Sequence, residues 1–425
     1  MQIIKNPDKK DWKVLLQRPY VDNRSILESV QQILNAVKQH GDEAVRSFTK
    51  KFDGVELENF LVSKNEITDA HNKLSTGIRN AIGQARLNIE KFHLSQFATT
   101  EVIETMPGVQ CWRKNVAIEK VGLYIPGGTA PLFSTVLMLG VPAKLAGCKE
   151  IVLCTPVNEQ GEVHPAILYS AQLVGIDKIY KVGGAQAIAA MAYGTEMINP
   201  VYKIFGPGNQ YVTAAKQLVQ MQGVAIDMPA GPSEVCVLAD ETANPSFVAA
   251  DLLSQAEHGV DSQVLLVSNK EEIVNKVKDE LEKQLEQLPR KEIAGKALNN
   301  SKAIILNSID EVIELVNDYA SEHLIISCTN ADSIAEKITN AGSVFIGNYS
   351  PESVGDYASG TNHTLPTNGF ARAYSGVSID SFVKKITYQK LSQDGLNKIA
   401  DTVVTMAEAE GLDAHANAVR IRMKD

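Results

Sequence analysis

VGLYIPGGTAPLFSTVLMLGVPA, Val121 to Ala143, is a run of 23 residues without a charge, and its reading decides the fold. Length alone would let it span a bilayer. Its composition would not, because Pro126, Gly127, Gly128, Pro131 and Pro142 break a helix and would leave backbone groups unpaired in lipid. A buried strand at Val121–Ile125, a glycine turn and a buried helix fit the same residues better, and predict a soluble protein. Strands buried on both faces are apolar throughout rather than alternating, which is the habit of parallel sheets.

Downstream the unit recurs. Apolar runs at Val121–Ile125, Glu150–Cys154, Lys178–Val182, Lys203–Phe205 and Val224–Met228 begin 29, 28, 25 and 21 residues apart, with helix-like segments between them. That spacing suits strand–helix units. A second series follows at Glu234–Leu238, Gln263–Val267, Ala303–Leu306, Leu324–Ser327 and Ser343–Ile346. Two α/β domains of similar construction are expected, with a boundary near Pro232. Upstream, Ile26–Val37 and Ile67–Phe92 read as amphipathic helices. After Asp380 the pattern is again helical and polar, and the segment Ala414–Asp425 is too short to make a core, so it must pack on something else, a partner subunit included.

Composition excludes several function classes. With 41 basic and 50 acidic residues the formal charge is −9, which offers no electrostatic footprint for nucleic acid or an anionic membrane. Five cysteines, scattered and without a C-x-x-C pair, argue against a disulfide framework and for a reducing cytoplasm. Met1–Arg18 lacks the apolar core of a signal peptide, which disfavours an exported solute-binding module.

In open α/β sheets ligands gather at the carboxyl ends of strands. There the chain carries Tyr124-Ile125-Pro126-Gly127-Gly128, Gly183-Gly184-Ala185-Gln186 and Gly206-Pro207-Gly208-Asn209. Each can be no more than a tight turn, but three at successive strand ends favour a nucleotide. The Gly206 loop approaches a dinucleotide fingerprint with Asp227 as the following acid, although Tyr211 replaces the third glycine. A helix from Asn244 to Gly259 would set Gln255 and His258 on one face, half of a metal site, with Asp251 a turn earlier. Glu322-His323, at a helix–strand junction, is suited to proton transfer. The polar loop from Ile346 to Thr367 holds Asp356 and His363, and the tail holds Glu410 and His415. Cys148, Cys154 and Cys236 read as buried structural thiols. His40, His71, His93 and His164 lie on ordinary polar segments and take no role. Two enzyme classes remain open on these residues: a nucleotide-dependent oxidoreductase with a metal, and a zinc hydrolase in which Glu322 activates water.

Taken jointly, the segments 121–128, 183–189, 227–234, 252–258, 321–324 and 355–363 resemble the histidinol dehydrogenases, in order and over essentially the whole chain. The resemblance implies two Rossmann-like parallel-sheet domains, with a helical N-terminal segment (1–24) and a helical tail (379–425) exchanged between the subunits of a homodimer. One domain would be discontinuous (25–120 with 237–378) and the other would span 121–236. It implies oxidation of L-histidinol to L-histidine with NAD and one zinc per subunit. By the same resemblance Gln255, His258, Asp356 and His415 would bind zinc and substrate. Ser233, His323 and Glu410 would contact substrate, and Tyr124, Gln186 and Asn209 would contact NAD. Glu322 and His323 would be the acid–base pair.

Overall fold

The computed structural model describes residues 1–18, 24–127, 131–229 and 231–423. Along the chain its strands are β1 (Gln2–Lys5), β2 (Val102–Met106), β3 (Val109–Ala117), β4 (Lys120–Tyr124), β5 (Glu150–Thr155), β6 (Lys178–Lys181), β7 (Lys203–Phe205), β8 (Ala225–Ile226), β9 (Glu234–Ala239), β10 (Gln263–Ser268), β11 (Lys302–Ile305), β12 (His323–Ser327), β13 (Ser343–Ile346) and β14 (Val383–Leu391). The first predicted series forms a parallel sheet of order β6-β5-β4-β7-β8. The second forms another, β11-β10-β9-β12-β13, with β1 added at its edge beside β11. Counted within each series, both run 3-2-1-4-5, so the same Rossmann-like unit occurs twice. In each, the strand order reverses beside the first strand, the place where a crevice opens.

The charge-free run folds as β4, a turn, and a helix Phe133–Ala146 that is buried on every side. Helices Thr76–Leu94 and Pro165–Leu173 flank it, which is why no face of it is polar. Gly128, Thr129 and Ala130 of the turn, and Ala230 of the later motif, lie outside the described residues. Among those described, no helix is long and apolar enough to cross a membrane.

The domain assignment needs correcting. Helix Arg24–Asp53 packs on helices Gly184–Tyr193 and Gln210–Gln220, and Lys64–Lys73 packs on Pro165–Leu173. The early helices therefore join the 121–229 sheet, where Val30, Ile33, Leu34 and Val37 share a core with Ala187 and Ile188. They have no place on the other sheet. Its faces are covered by its own crossover helices, such as Pro245–Ala256, Glu271–Leu285 and Ile309–Tyr319. The N-terminal segment goes there instead, through β1 and the buried Trp12 and Leu16. The boundary also falls before Glu234, where β9 begins.

Two elements differ from expectation. Ile67–Phe92 is two helices, interrupted at Leu74 and Ser75, where Ser75 caps the second. The tail is not wholly helical. Its first part is β14, which pairs antiparallel with β3, itself paired with β2. Trp112 stacks on Tyr388 across that sheet with ring centroids 5.4 Å apart.

Candidate active site

A cleft of about 540 Å³ separates the two sheets. One wall is the Gly206–Asn209 loop at the carboxyl end of the 121–229 sheet; the other carries Ser233, His258, Glu322 and His363. Ser233 and Glu322 immediately precede β9 and β12, so the second sheet turns its amino edge, not its carboxyl edge, to the cleft. Gly206 has φ +125°, and a Cβ there would run into the Tyr124 carbonyl. Only glycine lets the two loops at the strand-order reversal lie this close.

Glu322 and His323 hang on one residue of the neighbouring strand. The Glu234 N–H donates to Glu322 Oε2 at 2.9 Å, and His323 Nδ1 donates to the Glu234 carbonyl at 3.1 Å. A carbonyl can only accept, so the Nδ1 proton is fixed and Nε2 is left as the basic nitrogen. Nε2 faces Asp356 Oδ1 at 3.3 Å, while Nδ1 lies 3.6 Å from Glu322 Oε2 and 3.9 Å from Glu352 Oε2. Burial alone would lower the imidazole pKa; Glu322, Asp356 and Glu352 outweigh it and raise it well above the ordinary value. Glu322 is also raised, by desolvation first, against the pull of His323 and the Glu234 N–H. Asp356 resists its own desolvation because His323, His363 and His258 face it, and it stays below the ordinary carboxylate value.

The Glu234 side chain is in turn clamped. Arg18 donates to both its oxygens at 2.9 Å, stacks 3.9 Å above the Tyr319 ring and donates to the Tyr319 carbonyl at 2.7 Å.

Helix Pro245–Ala256, capped by Asn244, ends sooner than expected, and His258 lies in the turn beyond it. It still meets Gln255. With the Gln255 amide nitrogen donating to both oxygens of Glu352 at 3.2 Å, the amide oxygen occupies the position 3.4 Å from His258 Nδ1. The predicted loop contains a short helix, Glu352–Tyr357, which sets Glu352 and Asp356 one turn apart. Glu352 is 1% exposed, and burial raises its pKa to about 7. It was not foreseen. The i, i+4 spacing to Asp356 would have shown it had the helix been recognised.

Among the nucleotide candidates, Asn209 lines the cleft and caps helix Gln210–Gln220, accepting from Tyr211 and Val212. Tyr124 is buried, its hydroxyl accepting from the Gly184 N–H at 3.1 Å, and burial pushes its pKa up to about 12. Gln186 is 1% exposed, and neither its amide nitrogen nor its oxygen has a partner. Asp227 is committed elsewhere, to Lys216 and to the Gly206 N–H. It locks the glycine loop and is not free for a ribose.

A model of the histidinol dehydrogenase family matches residues 16–423. The chain belongs to that family. A histidinol dehydrogenase of Bacteroides thetaiotaomicron is 59% identical, with 100% of this chain and 99% of the relative covered. One of Aliivibrio fischeri is 53% identical over 96% of this chain and 93% of the relative. The crystal structure of histidinol dehydrogenase from Elizabethkingia anophelis superposes with a TM-score of 0.98 at 57% identity, covering 100% of this chain and 98% of the other. Membership in the histidinol dehydrogenases makes the chain an oxidoreductase, and sets the hydrolase aside.

The remaining candidates divide. Glu410 and His415 are exposed on the tail, whose last helix (Asp413–Arg422) packs chiefly on Gln393–Ala409, so a single chain does not bring them to the cleft. His363 is tied structurally, Nδ1 donating to the Asp356 carbonyl at 2.8 Å and Nε2 lying 3.0 Å from the Thr135 hydroxyl. His93 is not on a polar segment. It is fully buried, with Nδ1 donating to the Ile89 carbonyl at 2.8 Å. All five cysteines are free, and burial raises the thiol pKa of Cys148, Cys154, Cys236 and Cys328, as suits structural thiols.

Proposed function

We propose that this chain oxidises L-histidinol to L-histidine through L-histidinaldehyde, in two NAD-dependent steps at a zinc site, as the last step of histidine biosynthesis. The observation that carries the reading is the Glu322–His323 pair suspended from the backbone N–H and C=O of one residue, Glu234, at the cleft. Turning a primary alcohol into an acid requires two hydride removals with water added between them. In its neutral form His323 takes the hydroxyl proton at Nε2 as the first hydride leaves for NAD, and the surrounding carboxylates stabilise the imidazolium that forms. Glu322, at the cleft wall, takes a proton from the water that adds to the aldehyde, while the His323 imidazolium returns its proton to the carbonyl oxygen and is free to act again. The hydrate then gives up its second hydride to another NAD while His323 again accepts the hydroxyl proton.

The donors available to a metal are the Gln255 oxygen, His258 and Asp356, whose buried Oδ1 has no hydrogen-bond partner. Nitrogen and oxygen donors without a thiolate suit an exchangeable zinc site. Among the described residues no three His, Cys, Asp or Glu side chains gather to hold a metal by themselves. His415 of a second copy would complete the set, with Glu410 beside it and Ser233 on the substrate. Bound zinc would supply orientation of the substrate's nitrogens and charge stabilisation. NAD would lie along the Gly184 and Gly206 loops, with Tyr124, Gln186 and Asn209 as contacts; the unpartnered Gln186 amide is what supports that placement. A homodimer is supported by apolar groups left exposed near the site (Val260, Tyr349, Tyr357) and on the tail (Met406, Leu412, Ile421). Free cysteines suit the cytoplasm.

The test is stoichiometry. Purified protein with zinc, NAD and limiting L-histidinol should form two NADH for each histidine. One NADH with free aldehyde accumulating would refute the two-step reading.

A further inference from the structure

Beyond its share in the charge around His323, Glu352 takes no part in the chemistry above, yet both its oxygens are engaged. Ser254 Oγ lies 2.7 Å from one of its oxygens, and the Gln255 amide nitrogen lies 3.2 Å from both. Its other neighbour, His323 Nδ1, stands at 3.9 Å and already has the Glu234 carbonyl as acceptor. A primary amide has nearly the same shape either way round, so packing alone does not choose which end faces the cleft. A carboxylate does choose. Nitrogen toward Glu352 makes two charge-assisted hydrogen bonds, whereas the reverse presses an amide oxygen against two carboxylate oxygens in a site with little water to relieve it. The chosen orientation puts Oε1 on the side of His258.

We propose that Glu352 is a positioning residue that fixes the rotation of the Gln255 amide, so that its oxygen rather than its NH₂ meets a divalent cation shared with His258 and Asp356. The proposal rests on Gln255 being a metal donor, as read above. An amide presented the wrong way round offers a cation two N–H dipoles of the wrong sign. The role of Glu352 is thus in metal affinity before any turnover.

The experiment measures the zinc dissociation constant of the full-length protein by competition with a chromophoric chelator, without substrate or NAD. In Glu352→Gln the new side chain both donates and accepts, so Gln255 loses its orientation, and the dissociation constant should rise about 10- to 100-fold. In the swapped pair Gln255→Glu with Glu352→Gln, the donor and acceptor exchange places. An oxygen again faces the cation, and most of the affinity should return. A carboxylate at position 255 shows the cation an oxygen whichever way it turns, so a swap that fails to recover overturns the proposal. If Gln255→Ala weakens zinc but Glu352→Gln does not, the role of Glu352 is refuted while Gln255 stands. If Gln255→Ala leaves zinc unchanged, the donor reading beneath it fails too. Should Glu352→Gln not fold, Glu352→Ala carries the test: it removes the orienting carboxylate outright, and zinc binding as tight as wild type would overturn the proposal.

Discussion

Replacing Arg18 by Met should destabilise the protein severely and through one identifiable cause. Glu234 is 1% exposed, and among the described residues Arg18 supplies two of the three hydrogen bonds to its carboxylate; the third comes from the Asn368 N–H at 2.9 Å. Methionine keeps most of the stem's packing over Tyr319 but strands the charge. Breaking a buried pair from one side costs about 3–5 kcal/mol, whereas removing both charges costs far less. Arg18→Met should therefore lose about that much, and Arg18→Met with Glu234→Gln should be more stable than Arg18→Met alone. The stranded carboxylate would also take up a proton more readily than in the unfolded chain. A raised acid pKa in the folded state destabilises above the unfolded value, about 4.3, and the penalty is relieved as pH falls through the folded pKa. Urea titrations followed by circular dichroism at pH 8 and pH 5.5 would read all three effects, the deficit being larger at pH 8. A loss below about 1 kcal/mol, the usual worth of an exposed pair, or a double variant no better than Arg18→Met, would refute the buried-charge reasoning. Because the Glu234 backbone holds Glu322 and His323, turnover should fall in Arg18→Met even where the protein remains folded.

Other tests address the chemistry and the assembly. Glu322→Gln should slow oxidation of supplied L-histidinaldehyde more than the first NADH burst from L-histidinol; equal loss in both steps would move Glu322 out of water activation. Mixing His415→Ala subunits with Glu322→Gln subunits after mild unfolding and refolding should recover activity if tails are exchanged, and no recovery would mean sites built within one chain. Burial holds the His93 pKa below the ordinary value, so the folded state resists protonation that the unfolded chain accepts. Stability conferred by neutral His93 is complete above about pH 6.5 and falls by roughly 1.4 kcal/mol per pH unit below it, until the folded pKa is reached. His93→Gln should flatten that slope in denaturation curves between pH 6.5 and 5, and an unchanged slope would assign it to another group.

The two parallel sheets were legible in the sequence because their central strands are buried on both faces and read as unbroken apolar runs, as in Val235–Ala239. The antiparallel sheet was not. In Val109–Ala117 and Val383–Leu391 charged residues alternate loosely with apolar ones, and most positions stay partly exposed, a pattern that resembles an amphipathic helix in a short window. Nor was the partner of the early helices. Val30, Ile33 and Leu34 announce a buried stripe, but a stripe states only that it must be covered, and which sheet has a free face is a property of the whole packing. At the site, Glu322 and His323 could be singled out by chemistry. Glu234, Arg18 and Glu352 could not, since their roles arise from which residues the register and a six-residue helix happen to set side by side.

The use of opposite edges by two copies of one topology has a chemical consequence. At the carboxyl edge of the 121–229 sheet, helix Gln210–Gln220 begins at the cleft, and a helix amino terminus is an environment that favours anionic ligands such as a pyrophosphate. At the amino edge of the second sheet, strands begin with free N–H and C=O groups before the ladder claims them, and it is such a pair, on Glu234, that holds an acid and a base in fixed register. Had the second sheet presented its carboxyl edge as well, the cleft would have been lined by two anion sites. Glu322, Glu352 and Asp356 would then have shared it with helix dipoles that depress carboxylate pKa values. The inverted presentation keeps those carboxyls in a desolvated setting, where Glu322 and Glu352 are raised. A base whose pKa lies nearer neutrality takes a proton from water more readily than an ordinary carboxylate does. The electrostatic division between the two walls of the cleft is therefore built by orienting a single topology in two ways.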